Sequence, residues 1–93
     1  MRFTREGPVV TVDLHGCTSE DARWLLKNWL DHAPPGVTEL RVIHGSNRGT
    51  VLRDMVRKEL KHPRIHRKLL SLNPGETRLL LTPERPKGNK KRS

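Results

Sequence analysis

Two segments of this chain end in the same way. Val9–Leu14 (V-V-T-V-D-L) and Thr38–Ile43 (T-E-L-R-V-I) are short apolar runs rich in β-branched residues. Each is followed at once by His-Gly, and each leads into a stretch with helical spacing. A repeated order of strand, His-Gly and helix constrains the fold more than any other feature. Parallel strands need a long crossover between them, and a helix supplies it. The first run is apolar on both parities, as a strand buried on both faces would be.

The intervening spacings predict the rest. Thr18 is placed to cap a helix carrying Glu20 and Asp21 in its first turn. Ala22, Leu25, Leu26, Trp29 and Leu30 recur on one side of it, and Pro34-Pro35-Gly36 ends it. A second helix is expected from about Thr50 to Lys61, with Leu52, Met55, Val56 and Leu60 as its apolar stripe. Ile65–Leu72 and Thr77–Thr82 read as two further strands, joined into a hairpin by the turn Asn73-Pro74-Gly75-Glu76. The expected fold is therefore α/β: a two-layer βαβαββ sandwich with a mixed four-stranded sheet and two helices. Residues 1–8 read as a polar lead-in, 9–82 as the domain and 83–93 as a basic, disordered tail.

Length and composition narrow the class. A chain of 93 residues supports one small core, and with aromatics at 3% that core must be aliphatic. Of the two tryptophans, Trp29 is expected in the core and Trp24 partly at the surface. Cys17 is the sole cysteine, which excludes an internal disulfide and a cysteine-based zinc cluster. No apolar run approaches a membrane span and no signal peptide is evident, so no membrane partner and a cytoplasmic location are expected. No cofactor and no metal are expected either.

The charge is +9, from 19 Lys and Arg against 10 acidic residues, which favours a polyanionic partner. Much of the excess lies in Arg53, Arg57, Lys58, Lys61, Arg64, Arg67 and Lys68. Arg53, Arg57 and Lys61 are four apart, so a regular helix would align them as a ridge for phosphates. An ordinary solvated helix face is the simpler alternative.

If the two runs are neighbouring parallel strands, His15 and His44 meet at one sheet edge, where α/β sites gather. Asp13 and His15 share a strand face, so the carboxylate is placed to orient the imidazole, or simply to cap the turn that follows. His15 and His44 could serve as base and acid on a phosphodiester, with Arg48 holding the developing charge. Gly45, Ser46, Asn47 and Gly49 would cradle the phosphate.

These residues resemble the signatures of the Smr (small MutS-related) domain. Val12-Asp13-Leu14-His15-Gly16 is similar to its L-D-L-H-G motif, and Val42-Ile43-His44-Gly45 with Gly49 is similar to H-G-x-G-x-G. Asn47 stands at that motif's middle glycine. Asn73–Thr77 is a reduced form of the family's glycine-rich stretch before the last strand. The resemblance spans about Val9–Leu81 and implies a stand-alone member. It implies nucleic-acid binding and, as in several members, endonuclease cleavage of RNA or DNA. It places Asp13 and His15 in that cleavage. Settings it implies are ribosome-associated RNA quality control and DNA repair or recombination. The alternatives are a non-catalytic module that binds nucleic acid or the ribosome, and a protein-interaction adaptor.

Overall fold

A computed structural model describes residues 2–45 and 50–82. The elements run β1 (Arg2–Glu6), β2 (Val9–Asp13), α1 (Ser19–Asp31), β3 (Glu39–Ile43), α2 (Val51–Asp54) continuing as a π-helical turn (Met55–Glu59), β4 (Ile65–Leu70) and β5 (Glu76–Leu81). The strands form one mixed sheet in the order β1-β2-β3-β5-β4. β2 and β3 are parallel, and every other neighbouring pair is antiparallel. The chain is therefore α/β, as the alternation of segments predicts.

The sheet has five strands rather than four. The extra strand comes from the polar lead-in, which carries only one apolar side chain on β1, Phe3. That ring sits opposite Val12 in register and stacks on Trp29, with centroids 5.3 Å apart and planes 6° from parallel. Gly7, at φ +61°, and Pro8 form the tight turn that folds β1 back onto β2. Arg2, Arg5 and Glu6 keep this outer strand polar, as unpaired sheet edges usually are.

α1 begins as its sequence dictates. Thr18 Oγ1 accepts the Asp21 backbone N–H at 3.1 Å, satisfying one of the helix's open donors. Ala22, Leu26 and Leu30 are buried, whereas Trp24 is exposed. They join Val10, Val12, Leu40, Val42, Leu79 and Leu81 from the strands, and Met55 and Val56, in one aliphatic core. Alternate strand residues supply that core, so residues of the other parity are left to a more polar face.

The second helix departs from the regular helix expected over Thr50–Lys61. Its last hydrogen bond joins Leu60 N–H to Met55 O at 2.7 Å, five residues back, and Leu60 itself is extended. The wider turn buries Met55, Val56 and Leu60 together. It also means that Lys61 lies beyond the helix, so the ridge expected from four-residue spacing does not continue to it.

On the polar parity, Arg41 and Arg78 face each other directly across β3 and β5. Like charges so placed repel. Glu39 resolves the conflict: Oε2 accepts Arg41 Nε at 2.7 Å and Arg78 Nε at 2.8 Å, and Oε1 accepts Arg78 Nη2 at 3.1 Å. The Arg78 hydrogen bond, reinforced by Arg41, lowers the Glu39 pKa to about 2 against the cost of burial. A carboxylate with a lowered folded pKa stabilises the fold above its unfolded value, and that contribution fades as pH falls from about 4.5 to about 2. Glu39→Gln should cost at most about 3.5 kcal/mol at neutral pH, at roughly 1.4 kcal/mol per pKa unit between 4.5 and about 2. Urea unfolding across pH 2–7 checks this, because the variant should lose much of the wild type's stability decline in that acid window. An unchanged decline would remove Glu39 as its source.

Candidate functional site

Parallel pairing brings the two His-Gly ends to one edge. Asp13 is in register with Ile43, and Leu14 N–H donates to Ile43 O at 2.9 Å just past the strands. Each chain segment then turns through a glycine of positive φ, Gly16 at +84° and Gly45 at +86°. Such angles cost a side-chain-bearing residue free energy, which explains why glycine follows each histidine.

Asp13 and His15 are both exposed. The Asp13 carboxylate accepts the backbone N–H of His15 at 2.9 Å rather than a proton from its ring. It therefore fixes the turn that carries the imidazole, the simpler of the two roles its spacing allows. Among the described residues nothing is hydrogen-bonded to the His15 ring, so both nitrogens face solvent chemistry.

His44 is held very differently. Its Nδ1 lies 3.0 Å from Gly45 O and its Nε2 lies 2.8 Å from Thr77 Oγ1. A carbonyl only accepts, so Nδ1 carries the proton. In the neutral ring Nε2 must then accept, and the Thr77 hydroxyl donates to it. Thr77 Oγ1 in turn accepts Arg57 Nε at 2.7 Å, while Arg57 Nη2 reaches Glu76 O at 3.4 Å. Thr77 is fully buried. Burial is the largest influence on His44 and lowers its pKa, with the positive charges of Arg57 and Arg53 acting in the same direction. The ring is thus a neutral strut with a defined tautomer.

β5 completes this edge through its approach. Gly75 O accepts the backbone N–H of His44 at 2.8 Å and of Gly45 at 3.0 Å. A β-carbon on Gly75 would lie 3.2 Å from the Gly45 backbone, so the two glycines are pressed together. Gly75 and Thr77 belong to the site's support, and sequence reasoning reached them only through the resemblance, as part of the reduced glycine-rich stretch Asn73–Thr77, with no role for either. The available signals were the Asn73-Pro74-Gly75 turn and a threonine on a core-facing parity. Neither names a partner 30 residues upstream.

The basic residues of 53–68 divide into distinct groups. Arg57 is turned inward to Thr77, so its side chain is not a free phosphate ligand. Arg64 is buried at 2% exposure and donates to Thr82 O at 3.1 Å, which removes it from a surface ridge. Lys68 Nζ donates to the Leu60 and Arg57 carbonyls, capping the end of the π-helical turn. Burial, and then the nearby charge of Lys61, lower its pKa. Arg53 pairs with Asp54 at 3.4 Å. Lys58, Lys61 and Arg67 remain exposed. The one-sided charge of the sequence is therefore only partly a surface property, because three of these cations satisfy internal acceptors.

Ser46, Asn47, Arg48 and Gly49, expected as phosphate loop and charge stabiliser, lie outside the described residues, as does the tail from 83 to 93. Among the described residues no group of three or more His, Cys, Asp or Glu side chains could hold a metal ion. No helix among them is long and apolar enough to cross a membrane.

A family model described as Smr domain matches residues 12–77. Neither the curated proteins nor the solved structures compared with this chain yield a match.

Proposed function

The chain belongs to the Smr domain family, and from that premise we propose that it binds nucleic acid and cleaves phosphodiesters, RNA in preference to DNA. The observation that carries this reading is the pairing at one sheet edge of an exposed imidazole, His15, with a rigid neighbouring loop start, His44-Gly45. His15 is the group that moves the proton. It takes the 2′-hydroxyl proton, the 2′-oxygen attacks phosphorus, and the 5′-oxygen leaves. The imidazolium so formed is the proton source for that leaving oxygen. Asp13 positions His15 through the backbone, and His44 positions the loop through Thr77 and Gly75. Arg48 and the loop amides of Gly45 to Gly49 are assigned to the developing phosphate charge. RNA associated with the ribosome is the substrate class that best fits the family's range.

End-mapping of cleaved RNA with and without chelator tests the mechanism. It should give a 2′,3′-cyclic phosphate and a 5′-hydroxyl, with no loss on chelation. A 5′-phosphate product that requires metal would overturn the mechanism. One observation favours a second reading, a binding module without catalysis: both His44 nitrogens are occupied, which leaves a single free imidazole. Tight RNA binding with no cleavage under any metal condition would establish that reading instead.

A further inference from the structure

We propose that the end of β4 farthest from the His15 edge forms a second phosphate site, made by Lys61, His66 and Arg67, for a sugar-phosphate strand that also reaches His15. The inference rests on the nucleic-acid reading above and adds to it where the strand must run.

The position follows from register. β5 is antiparallel to β3, so Glu76 lies beside Ile43 at the His44 edge and Leu81 lies at the other end. β4 pairs Leu70 with Thr77, Arg67 with Leu80 and Ile65 with Leu81. Leu80 is level with Glu39 and Glu39 with Val9, so Arg67 lies four strand residues from the Asp13 level, or about 14 Å at roughly 3.4 Å per residue, and His15 follows two residues after Asp13. From β2 to β4 the sheet spans three strand spacings, about 14 Å. Arg67 and Asp13 are thus about 20 Å apart across the sheet, with His15 beyond Asp13.

Lys61, His66 and Arg67 line an open depression of about 290 Å3 between the end of the π-helical turn and β4. All three are exposed. Among the described residues no carboxylate pairs with Lys61 or Arg67. Asp31, a nearby acid, is engaged by His62 Nε2 at 2.7 Å. Lys68 forms part of the wall, but its ammonium is committed to two carbonyls. Burial, and then the Lys61 charge, lower its pKa, so the wall carries positive potential from Lys61. Two exposed cations with no carboxylate partner among the described residues, beside an imidazole, suit phosphate oxygens, and Arg67 supplies a forked donor. A helically stacked strand advances about 3.4 Å per phosphate, so reaching both places takes about six to eight nucleotides.

Binding of single-stranded RNA from 3 to 12 nucleotides, across a salt series, tests the proposal with the full chain. The wild type should gain affinity steeply between about 5 and 9 nucleotides. Lys61→Ala/Arg67→Ala should lose that step, and its log–log salt slope should fall by about 1.4, at roughly 0.7 per lost contact on a single strand. Lys61→Glu/Arg67→Glu should lose more. Equal slopes for wild type and both variants would overturn the far site while leaving the nucleic-acid reading intact. Absence of RNA or DNA binding by the wild type at every length would overturn both. A poly-glutamate peptide is the control. If both variants lose affinity for it to the same degree as for RNA, the patch is a general anion surface and the proposed phosphate site is wrong.

Discussion

His15→Ala should reduce RNA cleavage by about 10²- to 10⁴-fold while leaving RNA affinity within about twofold of wild type. The first figure is the usual contribution of a positioned acid or base. The second follows from placement. The His15 side chain is exposed and nothing described is bonded to its ring, so its removal disturbs no packing. Single-turnover cleavage and equilibrium binding, measured side by side, separate these effects. Asp13→Asn is the companion variant. Its amide oxygen can still accept the His15 backbone N–H, so cleavage should fall much less than in His15→Ala if Asp13 acts through the turn. Losses of equal size in the two variants would instead give Asp13 a direct part in the chemistry. Unchanged cleavage in His15→Ala would eliminate His15 as the proton-transfer group.

Thr77→Val should destabilise the domain by about 2 kcal/mol and free Nε2 of the His44 ring. Valine has nearly the shape of threonine but cannot bond. Its introduction strands His44 Nε2 and Arg57 Nε, and each unsatisfied polar group costs about 1–3 kcal/mol in proportion to its burial. In a domain of this size about 2 kcal/mol lowers the melting temperature by roughly 10 °C. The nitrogen chemical shifts of the His44 ring provide the decisive readout. In the wild type they should report the neutral form protonated at Nδ1. In Thr77→Val the Gly45 carbonyl still holds the proton on Nδ1, so the tautomer should persist while the Nε2 shift moves as it loses the Thr77 donor, and Thr77→Ser should restore the wild-type value. An unchanged Nε2 shift in Thr77→Val would show that the Thr77 hydroxyl does not donate to His44.

Much of the fold could be read directly because local rules and tertiary packing agree there. Thr18 caps α1 as its position predicts, Pro34-Pro35-Gly36 lies just beyond its end, and the β4–β5 hairpin follows from Asn73-Pro74-Gly75. β1 escaped notice because its stability is not local. Four of its five residues are polar, and only the stacking of Phe3 on Trp29 and a ladder to β2 make it a strand. The π-helical turn escaped notice for a related reason. The spacing of Leu52, Met55, Val56 and Leu60 suits a regular helix, but burying Leu60 and capping its carbonyl with Lys68 favours a wider turn.

The candidate site divides in the same way. Sequence alone determined which residues stand at the edge, because a repeated strand, His-Gly and helix order leaves parallel pairing as the simple solution, and Asp13, His15 and His44 come with it. Charge counting also located an excess of cations in 53–68. Only the tertiary structure decided what each group is free to do. His15 and His44 have the same neighbour in sequence, a glycine, yet one ring is open and the other is bonded at both nitrogens. Arg57, Arg64 and Lys68 look like Lys58, Lys61 and Arg67 in a list of charges, yet the first three turn to internal oxygens. Hydrogen-bond partners such as Thr77 and Gly75 arrive from more than 25 residues away, and no local spacing encodes them.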